Sequence, residues 1–253
     1  MGRILQGRFE SPRQLLLWIA CGYGIALVLS AVAVVLFPEG NEFTIMRTCV
    51  SKLGSPDPEY NPEGYWAFSA AIVVGGLTML PLLFYRHRRM TARLGPSNRM
   101  RTLNAAYLIG LAGFTLSGFI PMAREELVAG YTWDNFHDLV AKAGFLALGT
   151  AVLVEGFILL LRSRGARRGG GPIIPWSKLR WPYAYLLVVG GTAVFFLLSW
   201  DVKRANDPTL RWTGEGLYAF ALWEWILFLA APMVIGAIAI AWVLDPETPD
   251  ERR

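Results

Sequence analysis

LLLWIACGYGIALVLSAVAVVLF, residues 15–37, is a run of 23 residues without one charged side chain. As an α-helix rising 1.5 Å per residue it covers ~35 Å, enough for the ~30 Å hydrocarbon layer of a bilayer. Five further apolar runs follow: Tyr65–Tyr85, Thr102–Met122, Leu139–Leu161, Tyr183–Trp200 and Leu217–Leu244. The spacing predicts an all-α fold, a polytopic membrane protein built as one six-helix transmembrane bundle over residues 1–253. Segment 38–64, the longest gap, is expected to form an outer loop cap. Residues 15–37 read as a retained span, since their apolar core exceeds the ~7–15 residues of a secretory signal.

The arginines orient the bundle. Seventeen Lys and Arg residues lie before the first run, between runs two and three, between four and five, and after six, against six on the other side. Cationic loops stay in the cytoplasm, so both termini are expected there, in a prokaryotic cytoplasmic membrane. The opposite side is acidic, with Glu39, Glu42, Asp57, Glu59, Glu63, Asp134 and Asp138 among its residues. The net charge of +5 therefore reports topology, and nucleic acid is not an expected partner. A chain that is 54% hydrophobic with a mean hydropathy of +0.40 leaves no gap for a second globular domain.

Small residues mark packing faces: Ala106-x-x-x-Gly110 and Gly113-x-x-x-Ser117 in the third run, Ala20-x-x-x-Gly24 in the first. Such residues let backbones approach where no hydrophobic effect drives helices together. Gly95-Pro96-Ser97 reads as a turn, and Gly169-Gly170-Gly171-Pro172 as a flexible inner connector.

Charges within apolar runs are costly, which makes each a candidate for function. Lys142 and Glu155 stand in the fourth run and Glu224 in the sixth. At 1.5 Å per residue Lys142 falls ~5–8 Å and Glu224 ~12 Å below the outer rim, close enough in depth to pair. Asp138, four residues before Lys142, competes as its partner on the same helical face. Thr132 or Asp134 is expected to cap this helix, with His137 and Asp138 in its first turn. Glu155 belongs near the inner end, neutralised by Arg162 or another loop arginine. His87, within Arg86-His-Arg-Arg, reads as part of a solvated basic run.

His87 and His137 are the two histidines, at opposite ends of the bundle. That separation excludes a bis-histidine haem b site within one chain and any three-histidine zinc centre, so neither cofactor nor metal is expected.

In the cap, Ser51-x-Leu53-Gly54-Ser55 precedes Asn61-Pro62, and Gly118-Phe-Ile-Pro121 closes the third run ahead of His137. This pattern resembles the DUF998 family of six-helix membrane proteins and is similar to the related Frag1/DRAM/Sfk1 group. The motifs cover the first four runs; the last two agree in number and length. The resemblance implies a six-helix bundle with an outward loop cap and a role in lipid handling or membrane-protein regulation. It carries over no catalytic residue.

The expected function is lipid-interacting or accessory, through a polar pocket at the outer leaflet formed by His137, Asp138, Lys142 and Glu224. Arg124 and Arg47 join Lys142 as phosphate contacts, and Asp57 adds a carboxylate from the cap. Membrane lipids are the expected partners, with a partner membrane protein or a second copy as further candidates. One alternative is an intramembrane lipid hydrolase or acyltransferase using His137 as base, Asp138 or Asp134 as its orienter and Ser51 or Ser55 as nucleophile. Another is a small transporter with a buried Lys142–Glu224 pair.

Overall fold

The computed structural model describes residues 2–38, 43–45, 48–165, 180–184, 187–188, 190–191 and 220–243. Residues 169–171 and 201–216, Arg47 and the C-terminal arginines, all of which the expectations above include, lie outside them. A short α1 (Gly2–Leu5) leads into α2 (Pro12–Val35), followed by a 3-10 turn (Val50–Gly54), α3 (Tyr65–Leu94) and α4 (Asn98–Ser117). A small hairpin, β1 (Glu126–Val128) and β2 (Tyr131–Thr132), precedes α5 (Trp133–Gly165). The helical residues at 180–184, 187–188 and 190–191 are grouped as α6, and α7 is Phe220–Val243.

Local chemistry sets these limits. Ser11 caps α2 by accepting from Gln14 N–H at 3.2 Å, with Pro12 at the first helical position. The helix stops before Pro38, whose ring disfavours helix at the preceding residue. The third predicted run starts earlier than expected because Ser97 caps α4 through Met100 N–H at 3.3 Å. The second run does not end at Tyr85 but continues to Leu94, since nothing breaks the helix before Gly95, which adopts φ 78°. Thr132 caps α5, accepting from Asn135 N–H at 3.3 Å, so this helix begins at Trp133 rather than Leu139. The hairpin departs from an all-α fold. Its two-residue turn, Ala129 at φ 40° and Gly130 at φ 80°, is the positive-φ geometry that matches strand twist.

Consecutive helices α2, α3, α4 and α5 pack as neighbours, and α7 lies against α2 and α3. Among the described residues three helices, at Pro12–Val35, Tyr65–Leu94 and Trp133–Leu159, are long and apolar enough to cross a membrane. The exposed face of α2 carries Leu17, Ile25, Leu27, Val28 and Val35, an apolar surface suited to lipid rather than water. The chain is a helical protein with the surface of a membrane protein.

Glycines hold the bundle closed. A Cβ on Gly110 would lie 2.6 Å from Leu148 N, one on Gly113 2.8 Å from Gly144 Cα, and one on Gly144 2.6 Å from Phe114 N. The small residues expected in the third run therefore face a glycine of the fourth, and α4 and α5 touch backbone to backbone. Gly7 performs a similar task for the N-terminal segment: its φ is 69°, and a Cβ there would meet Tyr85 N of α3 at 2.3 Å.

Gly144→Val is expected to destabilise the bundle by ~1–3 kcal/mol through overpacking. Gly149→Ala, on the same helix but facing open space, should be neutral or slightly stabilising. Thermal unfolding of both variants in detergent checks the contrast.

Candidate functional site

Polar groups gather at both ends of the bundle, labelled outer and inner after the orientation expected from the arginines. At the outer end the cap is sewn to the helices by buried side chains. Asn61 Nδ2 donates to Ala33 O at the end of α2 and to Leu53 O in the 3-10 turn, both at 3.0 Å. Its Oδ1 accepts from Gly64 N–H at 3.2 Å, at the threshold of α3. Ser55 Oγ donates to Met122 O at 2.5 Å, and Met122 N–H returns to Gly54 O at 3.4 Å. Asn61 and Ser55 have no exposed surface. These side chains supply the partners that loop backbone would otherwise lack beside an apolar core.

His137 belongs to the same network. It is buried, and Nδ1 lies 2.7 Å from Ile120 O in the connection between α4 and α5. Pairing with a carbonyl requires a proton on Nδ1. Among the described residues no hydrogen bond joins His137 to Asp134, Asp138, Ser51 or Ser55. Ser51 is half-buried in the 3-10 turn, and the Ser55 hydroxyl is occupied by Met122 O and Asp57 N–H.

The predicted outer charges form two groups, exposed except at Asp57. Lys142 Nζ donates to Asp138 Oδ2 at 2.7 Å, with the side chains 70% and 48% exposed. Leu139 and Leu146 are exposed beside them on α5. Arg124 donates to the Tyr60 hydroxyl at 2.8 Å, meets Glu59 at 3.0 Å and Asp57 at 4.0 Å, and lies over the Tyr60 ring. The hydrogen bond to Tyr60 raises the Arg124 guanidinium further above its ordinary value. Glu224 stands in the first turns of α7, its side chain outside the described residues, as is Arg47. Nearby on α7, Trp225 Nε1 donates to Thr48 O at 2.8 Å and its ring meets Phe43 edge-on.

The inner end holds a cluster that the run-by-run reading of the sequence missed. Glu155 is fully buried, and its partner is Arg86, itself only 3% exposed, with Nε 3.0 Å from Oε2. Tyr107 of α4 donates its hydroxyl to the same Oε2 and lays its ring beneath the guanidinium, 3.8 Å from centroid to Cζ. Arg86 lies 21 residues into α3 and Glu155 22 into α5, so both are ~32 Å from the outer helix starts, at one level. An inner arginine neutralises Glu155 as expected, but it comes from the helix. Arg86 and Arg89 are buried and His87 is half-buried, so Arg86-His-Arg-Arg is not a uniformly solvated run. Extension of α3 past Tyr85 turns these residues onto the bundle side. A glutamate inside the fourth run was the available signal; its partner lay one residue past the assumed end of the second.

Comparison with protein-family models matches residues 20–243 to DUF998, a protein of unknown function. The chain belongs to the DUF998 family. The DUF998 match runs from α2 to the end of α7, so it covers both polar ends and also the last two helices, where the short motifs were silent. No curated protein and no solved structure matches the chain. Among the DUF998-like motif positions, Asn61 ties the cap to α2, Gly54 and Ser55 tie it to the α4–α5 connection, and His137 ties α5 to that connection.

Asn61→Ala should cost ~1–3 kcal/mol by stranding the carbonyls of Ala33 and Leu53. Asn61→Asp should cost more at neutral pH, since a carboxylate repels both carbonyls. Chemical or thermal unfolding in detergent measures the order.

Proposed function

We propose that this DUF998 member is a multi-pass protein of a prokaryotic cytoplasmic membrane, with six spans and both termini in the cytoplasm. Its outer end binds phospholipid head groups, in a lipid-handling or accessory role. The orientation rests on the arginine asymmetry of seventeen against six. The head-group reading rests on one observation, the exposed Asp138–Lys142 pair on a face shared with Leu139 and Leu146.

An exposed pair of this kind is worth only ~0–1 kcal/mol, so it opens at little cost. A zwitterionic head group can replace it on both sides, phosphate against Lys142 and amine against Asp138, while its chains run along the leucines. Arg124 and Asp57 extend the charged rim from the cap. Arg47 and Glu224 complete the set as the sequence places them. His137 supports the surface by fixing the start of α5 to Ile120 O. The lipid-handling role implied by the Frag1/DRAM/Sfk1 resemblance agrees with this reading. It assigns no bond-breaking step to His137, Asp138 or Ser51.

Topology is testable by cysteine labelling. Cys49 is buried and Cys21 is exposed on an apolar helix, so neither is a clean reporter. With both replaced by serine, Glu63→Cys should react with an impermeant maleimide added to intact cells. Ala92→Cys, exposed near the end of α3, should react only after lysis. The reverse pattern would invert the protein and move the head-group surface to the inner leaflet.

Binding is testable with a short-chain zwitterionic phospholipid and the purified protein in detergent. Asp138→Ala/Lys142→Ala should weaken binding about tenfold, the net of two exposed head-group contacts over the ion pair they replace. Equal binding by both proteins would defeat the assignment. Lipid products accumulating in the wild-type sample would replace it with the hydrolase reading.

A further inference from the structure

Around the buried Arg86–Glu155 pair, the inner end carries cations that no carboxylate of the chain balances. Segments 2–13 and 86–101 hold nine arginines and one carboxylate, Glu10. Glu10 is taken by Arg3 at 3.6 Å, and Arg86 by Glu155. Arg8 and Arg13 are exposed, and among the described residues neither side chain enters an ion pair. Arg8 lies on an arm, residues 2–11, that is fixed to α3 rather than hanging from α2. The Phe9 ring meets Tyr85 edge-on, 5.7 Å between centroids, and Arg88 lies over the same ring with Cζ 6.0 Å from its centroid. Gly7 packs so closely on α3 that a Cβ there would come within 2.8 Å of Pro81 O. Apolar surface adjoins the cations. Leu5 is exposed on the arm. Leu16 and Leu17, three and four residues after Arg13 and so on its helical face, are exposed on α2.

We propose that the arm and the first turn of α2 form a binding site for an anionic phospholipid of the inner leaflet. Its phosphate is held by Arg8 and Arg13, and its chains run along Leu5, Leu16 and Leu17. The chemistry selects the ligand. Arginines without carboxylates attract an anion, whereas a zwitterionic head group would bring an amine that nothing on the arm except the occupied Glu10 could receive. Exposed leucines beside those arginines fit an acyl chain, which free phosphate lacks. The outer surface differs, because Lys142 and Arg124 each have a carboxylate at hand. The leaflet follows from the orientation proposed above; the preference for negative charge does not depend on it.

The test uses purified protein in neutral detergent, carrying Asp138→Ala/Lys142→Ala to silence the outer surface, titrated with short-chain phosphatidylglycerol. Because the outer pair is absent, failure of the outer head-group reading leaves the outcome intact. In this background Arg8→Gln/Arg13→Gln should weaken binding about 10–30-fold. Arg99→Gln/Arg101→Gln removes the same charge from exposed positions at the start of α4, and should change binding by less than about twofold. Equal losses in the two variants would show attraction to the charged end as a whole and overturn the site, as would no loss in either. Gly7→Val keeps every charge but forces the arm off α3, so it should weaken binding as the arginine changes do. Full binding by a folded Gly7→Val protein would overturn the arm as the site; if it does not fold, the two arginine variants decide. Displacement of the lipid by an equal concentration of inorganic phosphate would overturn the lipid in favour of a free anion.

Discussion

Helices inside a bilayer gain nothing by hiding leucine from lipid, so their association depends on how closely backbones approach. In this protein that approach is made at Gly110 and Gly113 of α4 and Gly144 of α5, where side-chain-free surfaces touch. The rest of the polar architecture hangs on this seam. It holds Tyr107 against Glu155 at the inner end and the His137 ring against Ile120 O at the outer end, and each of these contacts crosses from α4 or its exit to α5. A wider separation, as any larger residue would impose, would leave Glu155 Oε2 and the Ile120 carbonyl without these partners.

The two ends solve the same desolvation problem differently. The outer cap satisfies its backbone with neutral side chains, Asn61 and Ser55, and keeps its charges at the surface, where Lys142, Asp138 and Arg124 interact weakly and remain available. The inner end buries a full ion pair, which is stable only while both partners stay. One end is built to present charge, the other to lock three helices with it. The aromatic ring of Tyr107 beneath Arg86 adds attraction in a place where water screens little.

Much of this organisation was legible in the chain. Composition alone marks residues 15–37 as a spanning helix, and residue type marks the turn at Gly95-Pro96-Ser97 and Thr132 as one of two candidate caps, with Asp134 the other. For Lys142 the sequence offers two partners, Glu224 by depth and Asp138 by four-residue spacing; the bundle shows the Asp138 pair, which helix pitch alone makes possible. Hydropathy falls at Arg86 although helix propensity does not, so the apolar run understates the length of α3. That one boundary hid the partner of Glu155 and made a buried cluster look like a solvated run.

The sequence by itself thus determined the features that are local or that a bilayer imposes: apolar length, caps, turns, i to i+4 pairs and the family motifs of the cap. Tertiary structure alone decided that Arg86, Tyr107 and Glu155, from three helices, meet at one carboxylate, and that Asn61 closes the carbonyls of Ala33 and Leu53. The physical reason is that helix pitch fixes which residues share a face. Which faces meet, and at what level, depends on the rotation and depth of each helix, and these are set by packing between distant segments.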